Sequence, residues 1–154
     1  PGPASPSPDP QAFGKSGHAH RLQAKVVLMR IATYDDIPRI SDMVEMLVRA
    51  TKIPQTVDRA YTQAMLARFI GSPDAVVFIS DSGFLAASIQ QTVVNPEPIA
   101  VEHGWYATDR SGIKMLRAFE AWAKSRGARV RLSTPATGVD LTKLGYHPVE
   151  LAWV

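Results

Sequence analysis

The stretch that decides the fold is WYATDRSGIKMLRAFEAWAKSRGARVRLST, Trp105 to Thr134. It reads as the end of a strand, a short loop with one glycine, an amphipathic helix and a second strand. Ile113, Leu116, Phe119 and Ala123 recur at helical spacing over roughly 112–126, with Arg117, Glu120, Lys124 and Arg126 largely opposite. Gly127 stands where a left-handed C-terminal cap belongs. The β-rich ARVRLST (128–134) then completes a strand–helix–strand crossover. The loop before the helix has two readings: a cradle for a phosphate-bearing cofactor, or the turn that any such crossover needs.

Upstream, a β-rich run (26–33) leads through Thr33, Asp35 and Asp36, candidates for an N-cap and first-turn acids, into an amphipathic helix over 36–50. Pro38 lies in its first turn, where the missing N–H costs nothing. KIPQT ends that helix, and a second covers 57–70. AVVFIS (75–80) and FLAASIQQTVV (84–94) form a predicted hairpin about DSG, and PIAVEHGWYA (98–107) is a further strand. Downstream, DLTKL (140–144) reads as a short helix ending at Gly145, and YHPVELAWV (146–154) as a last strand. The predicted order is β-α-α-β-β-β-α-β-α-β. A hairpin combined with a crossover implies an α/β fold with a mixed, mostly antiparallel sheet and helices on both faces.

The chain divides in composition. Residues 1–28 hold five of the twelve prolines and read as a flexible leader or arm, either natural, vector-derived or translated from upstream. No apolar stretch follows a basic start there, so the pattern is not that of a signal peptide. His18 and His20 in this arm lack the ligand set that a metal site requires. Residues 29–154, at 45% apolar content over the whole chain, suit one domain with one core.

The net charge of +3 splits as +2 in the arm and +1 in the body, which carries no basic stripe and argues against nucleic acid as partner. No run of about 18 apolar residues occurs, so no membrane span is expected. The absence of cysteine excludes disulfides, a thiolate nucleophile and cysteine-ligated zinc, and is compatible with a reducing cytoplasm.

Three stretches resemble the GNAT superfamily of acyl-CoA N-acyltransferases: MRIATYDDIPRISDMV, RAFEAWAKSRGARVRLST and TKLGYHPVE. The resemblance spans 29–154. It implies acetyl-CoA as co-substrate, an amine acceptor (small molecule or protein), and a pantetheine arm lying between two splayed strands with the diphosphate on the loop before the central helix. Unpaired N–H groups and the partial positive charge of a helix N-terminus suit an anion. The family loop is Q/R-x-x-G-x-G/A. An ungapped alignment places it on Ala107-Thr108-Asp109-Arg110-Ser111-Gly112, where the final glycine alone matches; a deletion brings Arg110 to the basic position. Ala107, Arg110, Ser111, Gly112, Ile113 and Lys114 are the candidate cofactor-binding residues, and Trp105 and Tyr106 are candidates for lining the pantetheine or acceptor pocket. The bland alternatives are a bare turn with Ser111 as cap and two core aromatics.

Direct acyl transfer needs a base for the ammonium and a donor for the developing oxyanion, and no protein nucleophile. Glu102 and His103 are the candidate catalytic residues, on the strand resembling the family's fourth. They project to opposite faces unless Gly104 marks a bulge. The stretch 48–57 and the final strand are expected to shape the acceptor pocket. The tyrosine that many family members carry four residues before the K-L-G glycine is Leu141 here, and Tyr146 would have to reach back. An apolar last strand, LAWV, predicts a homodimer that covers it. The alternative to an enzyme is a non-enzymatic assembly protein, since short phage-encoded GNAT-like proteins resemble this chain; a virion-associated location would then replace the cytoplasm.

Overall fold

The computed structural model describes Gly2 and residues 28–136 and 138–153. The arm with His18 and His20, and the start of the first predicted strand, lie outside the described residues.

The order is β1 (Met29–Ile31), a 3-10 turn (Tyr34–Asp36), α1 (Ile37–Thr51), α2 (Arg59–Ile70), β2 (Ala75–Ser80), β3 (Gly83–Gln90), β4 (Ile99–Ala107), α3 (Ser111–Ser125), β5 (Arg129–Arg131) and a 3-10 turn (Thr142–Leu144). The five strands lie in sequence order in one sheet. The first three pairings are antiparallel, and β4–β5 is parallel. Asp36 fixes the entry to α1: its carboxylate accepts from the Thr33 amide at 2.8 Å and pairs twice with the Arg30 guanidinium at 2.6 and 2.8 Å. That pairing holds its carboxyl well below the ordinary range.

The sheet is buried on both faces, which explains why β2 and β3 are apolar at consecutive positions. Val76, Phe78, Leu85 and Ala87 pack on one side with Met115, Leu116 and Phe119 of α3. Val77, Ile79, Phe84 and Ala86 pack on the other with Ile40 and Met43 of α1 and Leu66 of α2. Ile113, expected on the core face of α3, is 45% exposed; Met115 is buried in its stead. Gly127 (φ +64°) ends α3 in the left-handed region, as its position predicted.

One predicted element is absent. Residues 146–153 form no strand. The Arg131–Glu150 ion pair holds the segment beside β5, yet no ladder forms. A strand needs a partner edge, β5 is three residues long, and Pro148 has no N–H to give. Among the described residues the last segment therefore lies outside the sheet, with Val149, Leu151 and Trp153 exposed.

Candidate active site

The crossover sets up the site. β4 pairs with β5 over Ile99–Val101 against Arg129–Arg131, and there the ladder stops. β4 continues to Ala107 with β3 alone as neighbour. Among the described residues its far edge from Glu102 onward therefore has no strand partner, and a cavity of about 530 Å³ lies against it. The opposite wall is the loop through Ser133, Pro135 and Val139; Gly112 and Ile113 of α3 line one end, and Thr51 and Ile53 the other.

Two features of β4 open this gap. The β3–β4 register jumps from Ala86↔Gly104 to Ala87↔Glu102, which leaves His103 in a β-bulge. Glu102 also stands between the parting strands. Its Oε2 accepts from the Ser133 amide at 3.2 Å and the Ser133 hydroxyl at 3.1 Å, so an amide beyond the last ladder pair goes to a side chain instead of to backbone.

The bulge places both base candidates on the cavity by different routes. Glu102 pairs across from Ala87, on the α3 side of the sheet, and is 8% exposed. Burial raises its pKa, against the Ser133 hydrogen bonds, which lower it. His103 turns toward α2: its ring lies 5.0 Å from that of Phe69, and Nε2 is 2.7 Å from Ser88 Oγ. Desolvation lowers its pKa below 6.5, which favours the neutral imidazole.

The candidate cofactor residues separate. Trp105, Ala107, Gly112 and Ile113 line the cavity. Gly112 is needed for the close approach of α3 to β4, since a Cβ there would stand 3.1 Å from that of Ala107. Ser111 points away: its buried hydroxyl lies 2.7 Å from Ser80 Oγ. Tyr106 packs on the α1/α2 face, its hydroxyl 3.7 Å from Met46 Sδ. Arg110 and Lys114 are exposed and do not line the cavity. Tyr146 does not reach back; it donates to Glu120 Oε1 at 2.7 Å, and burial is the main cause of its raised pKa.

Sequence reading missed Ser133 and Asp109. Asp109 lines the cavity, and its carboxylate accepts from the Ser111 amide at 2.9 Å, taking one first-turn donor of α3. The amides of Gly112 and Ile113 fall in the same turn, where helical geometry gives no carbonyl partner one turn back. The cavity thus joins a helix N-terminus, an unpaired strand edge and a buried carboxylate. Among the described residues no three His, Cys, Asp or Glu cluster as metal ligands, and no helix is long and apolar enough to cross a membrane.

No family model matches the chain, and no curated protein matches it in sequence. Solved structures do match in fold. A predicted acetyltransferase from Clostridium acetobutylicum, crystallised with acetyl-CoA, superposes with TM-score 0.69 at 16% identity, over 83% of this chain and 94% of that one. A putative acetyltransferase from Arthrobacter sp. FB24 gives 0.60 at 23% identity, covering 74% and 78%. The aminoglycoside 6'-N-acetyltransferase of Acinetobacter baumannii gives 0.63 at 19% identity, covering 83% and 95%. The chain has the GNAT acetyltransferase fold.

Proposed function

We propose that this protein is an N-acetyltransferase, acting in the cytoplasm as a homodimer, that moves an acetyl group from acetyl-CoA directly to an amine. One observation carries the reading: a single cavity runs from the Gly112 end of α3, along the open edge of β4, to Glu102. A pantetheine arm is a chain of amides, and an unpaired strand edge offers it alternating donors and acceptors. The diphosphate belongs at the Gly112 and Ile113 amides. Fold likeness adds support of an associational kind.

Within this reading Glu102 is the base. Its raised pKa brings proton affinity closer to that of a useful acceptor at neutral pH. It takes the ammonium proton; the amine nitrogen attacks the thioester carbonyl carbon; an outward amide of the β4 edge stabilises the oxyanion. The C–S bond then breaks and the nitrogen gives its second proton to solvent. Tyr146, committed to Glu120, is not placed to protonate the thiolate, so that proton comes from water. His103, neutral and on the same cavity, is the second base candidate. The exposed Val149, Leu151 and Trp153 support a second copy of the chain as the cover for the C-terminal segment.

The Asp109 carboxylate at the phosphate end and Leu141 in place of the family's tyrosine favour a second reading, a non-catalytic assembly protein on the same fold. A melting experiment separates the two. Acetyl-CoA at 100 times its Kd stabilises a native-state binder by about 2.7 kcal/mol, or roughly 5–10 °C in a chain of this size. Stabilisation together with thiol release on adding amine supports the enzyme; an unmoved midpoint at millimolar ligand ends that reading.

A further inference from the structure

The end of the cavity away from α3 has a chemistry that selects among amines, an inference that rests on the acyltransferase reading above. Its wall is mainly apolar, from Leu47, Ile53, Pro135 and Val139, with the hydroxyl side chains of Thr51 and Ser133 among them. Ile53 and Val139 stay 45% and 69% exposed, so an apolar lip surrounds a carboxylate that is itself 8% exposed. Glu102 and Asp109 are the acidic groups lining the cavity. Asp109 belongs to the opposite end, on the Ser111 amide. His103 favours its neutral form. The acceptor end therefore presents one anionic partner, deep, beneath an apolar rim.

We infer that the acceptor is a monoamine with an apolar body, aromatic or branched, whose single ammonium meets Glu102 while its body packs against Leu47, Ile53 and Val139. A polyamine or an aminoglycoside fits this wall poorly. Each further ammonium at this end would lose water against Leu47, Ile53 or Val139 and gain no second carboxylate there, Asp109 being held on the Ser111 amide, and an uncompensated charge at an apolar surface is disfavoured. This separates the chain from the aminoglycoside 6'-N-acetyltransferase that shares its fold. The rim, not the base, makes the choice: the Glu102 carboxylate accepts any ammonium, whereas the apolar lip rewards a substituent that leaves water.

The test uses 2-phenylethylamine, methylamine, spermidine and kanamycin as probes. Binding of each is measured calorimetrically on the protein alone, then as KM with acetyl-CoA. The expected result is a Kd for 2-phenylethylamine at least about tenfold below those of the other three, the fold-change that burying part of an aromatic ring provides. Ile53→Asp and Val139→Asp, both at exposed positions, should each erase most of that preference and improve spermidine. Preference for spermidine or kanamycin in the unmodified protein overturns the inference. So does an unchanged preference in both variants. The two readings fail separately. Phenylethylamine bound with no acetyl-CoA binding upholds the amine pocket and sinks the acyltransferase. Acetyl-CoA bound with the amine order reversed does the opposite.

Discussion

Replacing Asp109 by Asn separates two effects that the α3 turn combines. The carboxylate accepts from the Ser111 amide at 2.9 Å, and Asn keeps an oxygen there while removing the charge. A negative charge at a helix N-terminus contributes about 0.3–1 kcal/mol, so the variant should melt roughly 1–4 °C lower. Its effect on the ligand has the opposite sign. A carboxylate about 6 Å from a doubly charged diphosphate in a water-like medium is repelled by roughly 1.4 kcal/mol. Salt at physiological strength screens about half of that. Acetyl-CoA should therefore bind about 3–10 times more tightly to Asp109→Asn than to the unmodified protein, with the larger gain at low salt. Calorimetric titration at two salt concentrations, with a melting curve for each protein, reads both quantities. A variant that loses stability while its Kd for acetyl-CoA stays equal or rises would refute the placement of the diphosphate at this turn.

Two further outcomes follow from the strands beside the cavity. A Cβ at Gly83 would stand 2.5 Å from the Tyr106 carbonyl oxygen, with Ala107 Cβ at 2.8 Å and Met115 Cε at 2.9 Å; backbone cannot yield cheaply, so Gly83→Ala should cost about 1–3 kcal/mol or more in urea unfolding. Glu102→Gln tests linkage. Burial raises the folded-state pKa above 4.5, so the native state holds the proton more tightly than the unfolded chain, and this group's contribution to stability falls as pH rises from the ordinary value through the raised one. The glutamine variant should lose that downward slope. On the acyltransferase reading, kcat/KM of the unmodified protein should rise through the raised pKa, a limb that the variant lacks; an identical pH profile in both removes Glu102 as base.

Much of this architecture is written locally. Apolar runs 75–80 and 84–94 read as strands because both faces of β2 and β3 are covered, but β3 stops at Gln90, and Val93 and Val94 stand exposed beyond it. The 3.6-residue spacing of Leu116, Phe119 and Ala123 gives α3, and Gly127 its end. The bulge was legible in part, since Gly104 beside two polar residues marks one. What escaped was long-range or side-chain specific. Glu102 and Ser133 stand 31 positions apart and meet only once β4 and β5 part. The Asp109–Ser111 contact needs the loop's backbone path. The final strand was expected from β-forming residues, but strand formation is a pairing event, and β5 offers three residues of edge. Tyr106 and Trp105, adjacent in sequence, face opposite layers, a distinction that the aromatic pair does not announce by itself.

If the first-turn amides of α3 hold a diphosphate, the backbone amide resonances of Gly112 and Ile113 report it. On titration with acetyl-CoA both should move saturably, and acetyl-pantetheine, which lacks the diphosphate, should move them far less. Gly112 and Ile113 resonances that stay fixed at millimolar acetyl-CoA would contradict the account.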